Sequence, residues 1–162
     1  MLYETTLKSP VGPLRIIASD DGLCAVLWPD EEPDRVHLSD PIQADERHPI
    51  VAATVVQLNE YFNGDRTSFD LPLDVAGTDF QAACWKALSE IPYGSTISYG
   101  EQAAMIDRPG AARAVGAANG RNPVSIVVPC HRVVAADGAL TGFAGGIGTK
   151  DWLLTHESAN RS

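Results

Sequence analysis

Acidic side chains crowd the first half of this 162-residue chain and thin out abruptly after it. Residues 1–77 carry 14 acids against 5 bases, and residues 78–162 carry 7 of each, so the whole formal charge of -9 belongs to the first half. A chain of this length has room for two small cores, and with 44% of its residues hydrophobic it has the material for both. The expected organisation is two domains, 1–77 and 78–162, with Gly77 as the hinge. No apolar run approaches the roughly 20 residues that cross a bilayer. Met1-Leu2-Tyr3-Glu4 also lacks the basic start and apolar core of a secretory signal. The expected location is therefore cytoplasmic, with no membrane partner. Cys24, Cys84 and Cys130 are odd in number and far apart, so reduced thiols are expected rather than disulfides.

The first half alternates short apolar runs with turn residues. Leu14-Arg15-Ile16-Ile17-Ala18 and Leu23-Cys24-Ala25-Val26-Leu27-Trp28 read as two strands joined through Ser19-Asp20-Asp21-Gly22, a hairpin signal. A proline- and acid-rich loop is expected over 29–49. Helical spacing of Val51, Val55, Leu58 and Phe62 predicts a helix over 50–62, stopped by Asn63-Gly64. The alternation of Phe69, Leu71, Leu73 and Val75 predicts a strand over 69–75.

The second half opens with Thr78-Asp79-Phe80-Gln81, whose spacing suits a capping box, and predicts a helix to about Glu90 with Phe80, Cys84, Ala87, Leu88 and Ile91 inward. Cys84 is then a core thiol. Ser98-Tyr99-Gly100-Glu101 is a second capping box opening a helix to Ile106, and Pro109 can start a third over 110–118 that ends at Asn119-Gly120. Two short helices joined by a tight turn suggest a helix-turn-helix. The third is made of Gly110, Ala111, Ala112, Ala114, Gly116, Ala117 and Ala118, with Arg113 as its single long side chain. Such a helix brings its backbone close to whatever it meets, either a neighbouring helix or a DNA groove. Arg108, Arg113, Arg121 and Arg132 lie in a segment whose one acid is Asp107, a local basic patch of the kind that meets phosphates.

One tetrapeptide carries chemistry. Pro129-Cys130-His131-Arg132 closes the apolar run Ile126-Val127-Val128, which reads as a buried strand delivering a thiol beside an imidazole and a guanidinium. A cysteine so placed is a candidate low-pKa nucleophile.

These residues, with Arg113-Ala114-Val115-Gly116, Asn122-Pro123, Ile91-Pro92-Tyr93-Gly94, Gly142-Phe143-Ala144-Gly145-Gly146 and Trp152-Leu153-Leu154, resemble the signature of the O6-alkylguanine-DNA alkyltransferases (methylated-DNA-protein-cysteine methyltransferases). The likeness extends over 78–157; the first half is similar in its strand-rich layout. It implies an α/β (α+β) fold, with a small ribonuclease H-like sheet-plus-helix domain followed by a mostly helical domain containing a winged-helix-like helix-turn-helix. It also implies irreversible, single-turnover transfer of an alkyl group from guanine O6 in duplex DNA to Cys130, with O4-alkylthymine as a second candidate substrate. By the same resemblance His131 takes the thiol proton through a water and Glu157 orients and charges the imidazole; spacing alone would make Glu157 an ordinary surface residue. Tyr99 donates toward the purine, Asn122 holds the turn behind the active-site loop, and backbone groups of Cys130, Val133 and Ala144 read the guanine edge. Ala144 stands where many relatives have serine. Arg113 is the finger that replaces the flipped base, with Ala112, Gly116 and Arg108 also toward DNA.

Double-stranded DNA containing O6-alkylguanine is the expected partner of a monomer, with cooperative binding along DNA left open and no cofactor expected. Some family members bind zinc in the first domain, but Cys24, His37 and His48 offer no tetrahedral spacing, so no metal is expected. His156 is read as a surface or helix-end residue. Two rivals remain: a non-catalytic sensor of alkylation damage, whose known types lack the motif cysteine, and a cysteine hydrolase, for which no oxyanion signature is seen.

Overall fold

The structure is a computed structural model that describes residues 1–29, 31, 35–38 and 40–160. The fold is mixed α and β. Contacts divide the chain into two compact units, one of residues 1–76 with 123–127 and the other of residues 77–122 with 128–162.

The first unit is built on a sheet of β1 (Leu2–Leu7), β2 (Leu14–Ala18), β3 (Leu23–Leu27) and β4 (Ile42–Ala44) in the order β3-β2-β1-β4. Its hairpin pairs are antiparallel and β4 joins β1 in parallel. The predicted hairpin is present as β2 and β3. Strand β1 and the short β4, inside the stretch expected to be loop, were not foreseen; part of that stretch lies outside the described residues. Leu2, Ile17, Cys24 and Ala25 form one core cluster, against which Leu27, Val36, Leu38 and Ile42 pack.

Helix α1 (Pro49–Phe62) is capped by the His48 side chain, which accepts from the Ile50 N–H at 3.3 Å. Its buried stripe is Val51, Thr54, Leu58 and Tyr61. Val55 and Phe62, expected inside, are half-buried, and Thr54 and Tyr61, each one position earlier, take the inner places beside Val51 and Leu58. The predicted strand 69–75 is absent. Only Leu73 bridges Leu23, and Pro72, which has no N–H to donate, contributes its carbonyl to the Leu23 N–H at 2.8 Å.

The second unit begins as the capping boxes predict. Thr78 and Gln81 cap α2 (Asp79–Leu88), and Ser98 and Glu101 cap α3 (Tyr99–Met105), with both reciprocal bonds formed in each. Trp85 takes the buried place on α2 that Phe80 was given, and Phe80 is half-buried. Helix α4 spans Ala112–Gly120, two residues later than expected at both ends. Gly110 has φ +90°, a left-handed conformation that ends the turn rather than starting a helix. Asn119 stays helical because its side chain is engaged: its amide and that of Gln102 exchange hydrogen bonds at 2.8 and 2.9 Å, and Gln102 also donates to the Cys84 carbonyl at 3.1 Å. This buried amide pair links α2, α3 and α4. Two-residue strands β5 (Ile97–Ser98) and β6 (Val133–Val134) pair in parallel, and α5 (Ile147–Ala159) closes the unit.

Replacing Gln102 with leucine strands the buried Asn119 amide and should cost about 2 kcal/mol, read as a lower urea midpoint. An unchanged midpoint would mean that the amide pair does not hold the three helices together.

Candidate active site

The apolar run before Cys130 is not a strand. Val127 N–H donates to the Ser125 carbonyl at 2.9 Å around Ile126, whose φ is +73°, the geometry of a γ-turn. A β-branched residue in the left-handed region is strained, and Ile126 is 1% exposed, so burial of its side chain is what holds it there. A second, inverse γ-turn follows at Pro129 (φ -85°, ψ 68°), where the Cys130 N–H donates to the Val128 carbonyl at 2.9 Å. Asn122 Nδ2 donates to that same carbonyl at 2.8 Å. Asn122 is fully buried and fixes the group that positions the backbone of Cys130.

A 3-10 turn, Cys130–Arg132, then places three consecutive side chains in the interior. His131 Nε2 lies 2.6 Å from Glu157 Oε2, and both residues are 0% exposed. Arg132 was expected among the phosphate-facing arginines; instead it is 6% exposed and donates through Nε to Glu157 Oε1 at 2.8 Å, through Nη2 to Oε2 at 3.1 Å and through Nη1 to the Ile91 carbonyl at 2.8 Å. Its fork matches a carboxylate, so it goes where one is buried. Tyr93 lies under the guanidinium, its ring centre 5.6 Å from Cζ.

The electrostatics follow from these contacts. Burial alone would raise the pKa of Glu157, but the hydrogen bonds and charges of His131 and Arg132 overcome it and hold the carboxyl far below the ordinary carboxylate range. Burial pushes His131 below its ordinary 6.5, Glu157 pulls it back, and the cations Arg132 and Lys150 push it down again. An ionised Glu157 accepts only, so the neutral ring carries its proton on Nε2. Nδ1 is left as an acceptor with no hydrogen-bond partner among the described residues.

The other predicted residues are distributed around this core. Tyr99, the first residue of α3, has its hydroxyl 2.6 Å from Thr141 Oγ1. Val133 is buried in β6, and Ala144 is half-buried in the loop before α5. Arg108, Arg113 and Arg121 are exposed, Ala112 is half-buried, and a Cβ on Gly116 would lie 3.6 Å from the Tyr99 ring. Cys24 and Cys84 are buried thiols whose pKa values burial raises, unlike those of reactive cysteines. His156 is half-buried and stacks on Trp152 with ring centres 4.8 Å apart. Among the described residues no group of three or more His, Cys, Asp or Glu side chains is placed to hold a metal. Among the described residues no helix is long and apolar enough to cross a membrane.

Sequence reasoning placed Arg132 in the motif but gave it phosphate rather than Glu157 as partner, and it missed buried Lys150. For Lys150 a signal existed, because Lys150, Leu153 and Glu157 follow i, i+3, i+7 and share the buried stripe of α5.

A sheet-and-helix unit followed by a helix-turn-helix unit that buries a cysteine beside a histidine–glutamate pair is the layout of a DNA-repair methyltransferase. Residues 79–159 match the family described as "6-O-methylguanine DNA methyltransferase, DNA binding domain", and residues 2–75 match its ribonuclease-like domain. A methylated-DNA--protein-cysteine methyltransferase of Mycobacterium tuberculosis H37Rv is 48% identical over 161 residues, covering 98% of this chain and 94% of its own. That of Shigella flexneri is 45% identical over 163 residues, covering 96% and 95%. The crystal structure of Mycobacterium tuberculosis OGT in complex with DNA superposes with a TM-score of 0.88 at 47% identity, covering 98% of this chain and 94% of that one. The chain belongs to the 6-O-methylguanine DNA methyltransferase family, and is an enzyme of the methylated-DNA--protein-cysteine methyltransferase type.

Both shifted groups make stability fall on acidification. The unfolded imidazole takes a proton as pH drops through 6.5 while buried His131 resists it, and unfolded glutamate does so through 4.5 while Glu157 resists it. The urea midpoint should decline below the first of these values and more steeply below the second. In Glu157→Gln the acid limb should be shallower and the protein weaker at neutral pH by about 3–5 kcal/mol, because Arg132 is left buried without its anion. An acid limb of unchanged slope would contradict this assignment.

Proposed function

We propose that this enzyme repairs O6-alkylguanine in duplex DNA by moving the alkyl group irreversibly onto Cys130, once per molecule. The observation that carries the reading is the buried imidazole of His131, in contact with Glu157 through Nε2 and with Nδ1 unpartnered among the described residues, on the residue next to the thiol. A cysteine of ordinary pKa, about 8.5, is mostly protonated at neutral pH and needs such a base.

In the proposed reaction the Cys130 proton passes through a water to His131 Nδ1, and Glu157 stabilises the imidazolium that results. The thiolate attacks the alkyl carbon in line, the C–S bond forms, and the C–O6 bond breaks with its electron pair left on the purine. The Tyr99 hydroxyl donates toward the purine ring as that charge develops, with Thr141 holding the phenol oxygen 2.6 Å away. Backbone groups of Cys130, Val133 and Ala144 read the guanine edge. Ala144 supplies main-chain atoms as serine would, so its missing hydroxyl leaves that contact intact.

Binding is assigned to α4. Its exposed Ala114 and Ala117 leave a thin surface from which Arg113 projects, suited to a minor groove, with Ala112, Gly116 and Arg108 beside it. Arg113 fills the space of the extruded nucleotide. The relative crystallised with DNA supports DNA as the partner. The acidic first unit carries the charge of -9 and keeps non-specific DNA affinity low.

Incubation with duplex carrying labelled O6-methylguanine should leave one label per molecule, on Cys130. Cys130→Ala should abolish transfer yet retain binding to alkylated duplex; label remaining on the variant would refute the nucleophile. Arg113→Ala should slow repair of duplex about a hundredfold while sparing reaction with the free alkylated base, on the order of the few kcal/mol that unstacking a base costs. Equal losses on both substrates would remove the finger role.

A further inference from the structure

A phenol carries one proton, and the reaction proposed above asks Tyr99 to aim that proton at the purine while a second hydroxyl stands 2.6 Å from its oxygen. The second hydroxyl is Thr141 Oγ1, and either oxygen can be the donor of the bond between them. If Tyr99 donates to Thr141, nothing is left for the purine. The direction of this one bond therefore decides whether Tyr99 can assist the leaving group.

The two side chains are held from opposite sides. Tyr99 is the first residue of α3, and its ring edge faces Gly116 of α4, where an added Cβ would lie 3.6 Å from Cε1 and 3.7 Å from Cδ1. Lys150 Nζ of α5 lies 5.9 Å from the centre of the same ring. With the ring packed in this way, rotation of its O–H bond is the freedom that remains. Thr141 belongs to the loop between β6 and α5, which is closed at each end by a turn. At one end the Ala135 N–H donates to the Ala139 carbonyl at 3.0 Å and the Gly138 N–H to the Ala135 carbonyl at 2.8 Å; at the other the Gly146 N–H donates to the Phe143 carbonyl at 2.9 Å. Thr141 lies between these turns, half-buried, and its hydroxyl meets that of Tyr99.

The geometry points to Thr141 as the donor to the Tyr99 oxygen, a positioning residue that turns the single phenolic proton away from the loop and toward the purine, a role that rests on the reaction proposed above. With an acceptor on the purine, the three groups are all satisfied in one order, Thr141 to Tyr99 to purine. Thr141 keeps its proton throughout. As negative charge develops on the purine and draws the phenolic proton toward it, the Tyr99 oxygen becomes a better acceptor and the Thr141 bond strengthens. The benefit falls on the transfer step rather than on DNA binding.

Single-turnover transfer from duplex carrying O6-methylguanine separates this role from a simple tether of the loop. Thr141→Val keeps the shape of the side chain and removes its hydroxyl. Its limiting rate should fall about tenfold, the upper range for one hydrogen bond, while the protein concentration giving half that rate stays as in wild type. Thr141→Ser should recover most of the loss. Tyr99→Phe should lose at least as much, and adding Thr141→Val to it should cost nothing more. Iodoacetamide, whose iodide leaves without a proton, should alkylate Cys130 of Thr141→Val at the wild-type rate, read by peptide mass mapping that separates Cys130 from Cys24 and Cys84.

An unimpaired limiting rate in Thr141→Val, a further loss in the double variant, or an equal slowing of iodoacetamide would overturn the role of Thr141. Should the valine variant not fold, Thr141→Ala takes its place with the same expectations. Wild-type protein that takes no methyl from the duplex would overturn the repair reading and the role of Thr141 together, whereas active wild type beside equally active Thr141→Val would overturn the latter alone.

Discussion

Burying a carboxylate costs several kcal/mol unless its charge and lone pairs are met, and the second unit is arranged around meeting those of Glu157. Arg132 supplies two donors and a full positive charge, and His131 supplies a third donor. Because Glu157 is thereby kept ionised, the imidazole has one way to bond it, through a protonated Nε2, and Nδ1 is obliged to be the accepting nitrogen. The tautomer of the imidazole is thus set by an ion pair on its far side. Arg132 contributes to this from the interior, and its third donor, on the Ile91 carbonyl, anchors the network to the loop that follows α2.

Backbone geometry does the rest of the positioning. Cys130 is presented by turns whose hydrogen bonds span two residues, and the Val128 carbonyl is held from two directions, by the Cys130 N–H and by Asn122. The 3-10 turn that follows puts successive side chains on different sides, so Cys130, His131 and Arg132 occupy different environments although adjacent in sequence. A strand would have sent His131 to the face opposite its neighbours. Exposed residues of α4 stand apart from this interior, so the groups suited to meet DNA and those suited to move a proton are not required to share a surface.

Much of the fold was legible because local chemistry and tertiary packing agree. Both capping boxes, the hairpin over Ser19–Gly22, and α1 with its Asn63-Gly64 stop are local signals that the structure obeys. The misreadings came where period alone was used. The alternation of residues 69–75 contains Pro72, which denies a ladder donor, and Ile126-Val127-Val128 is apolar because it is buried, not because it is extended. At the site, Cys130 and His131 are visible in the motif, and the pairing of Glu157 with His131 fits the family resemblance. Arg132 was misread as surface because sequence does not reveal that a cation has a buried anion waiting for it. Lys150 was overlooked because a lysine is expected outside, although its helical spacing to Glu157 marks it as inward.

The protonation state of His131 in the resting protein bears on all of this. Nitrogen NMR of the labelled imidazole at about neutral pH should report a neutral ring protonated at Nε2, with the Nδ1 shift of an unprotonated acceptor. A resting imidazolium, or a neutral ring protonated at Nδ1, would mean that Glu157 and Arg132 do not prepare a base for Cys130.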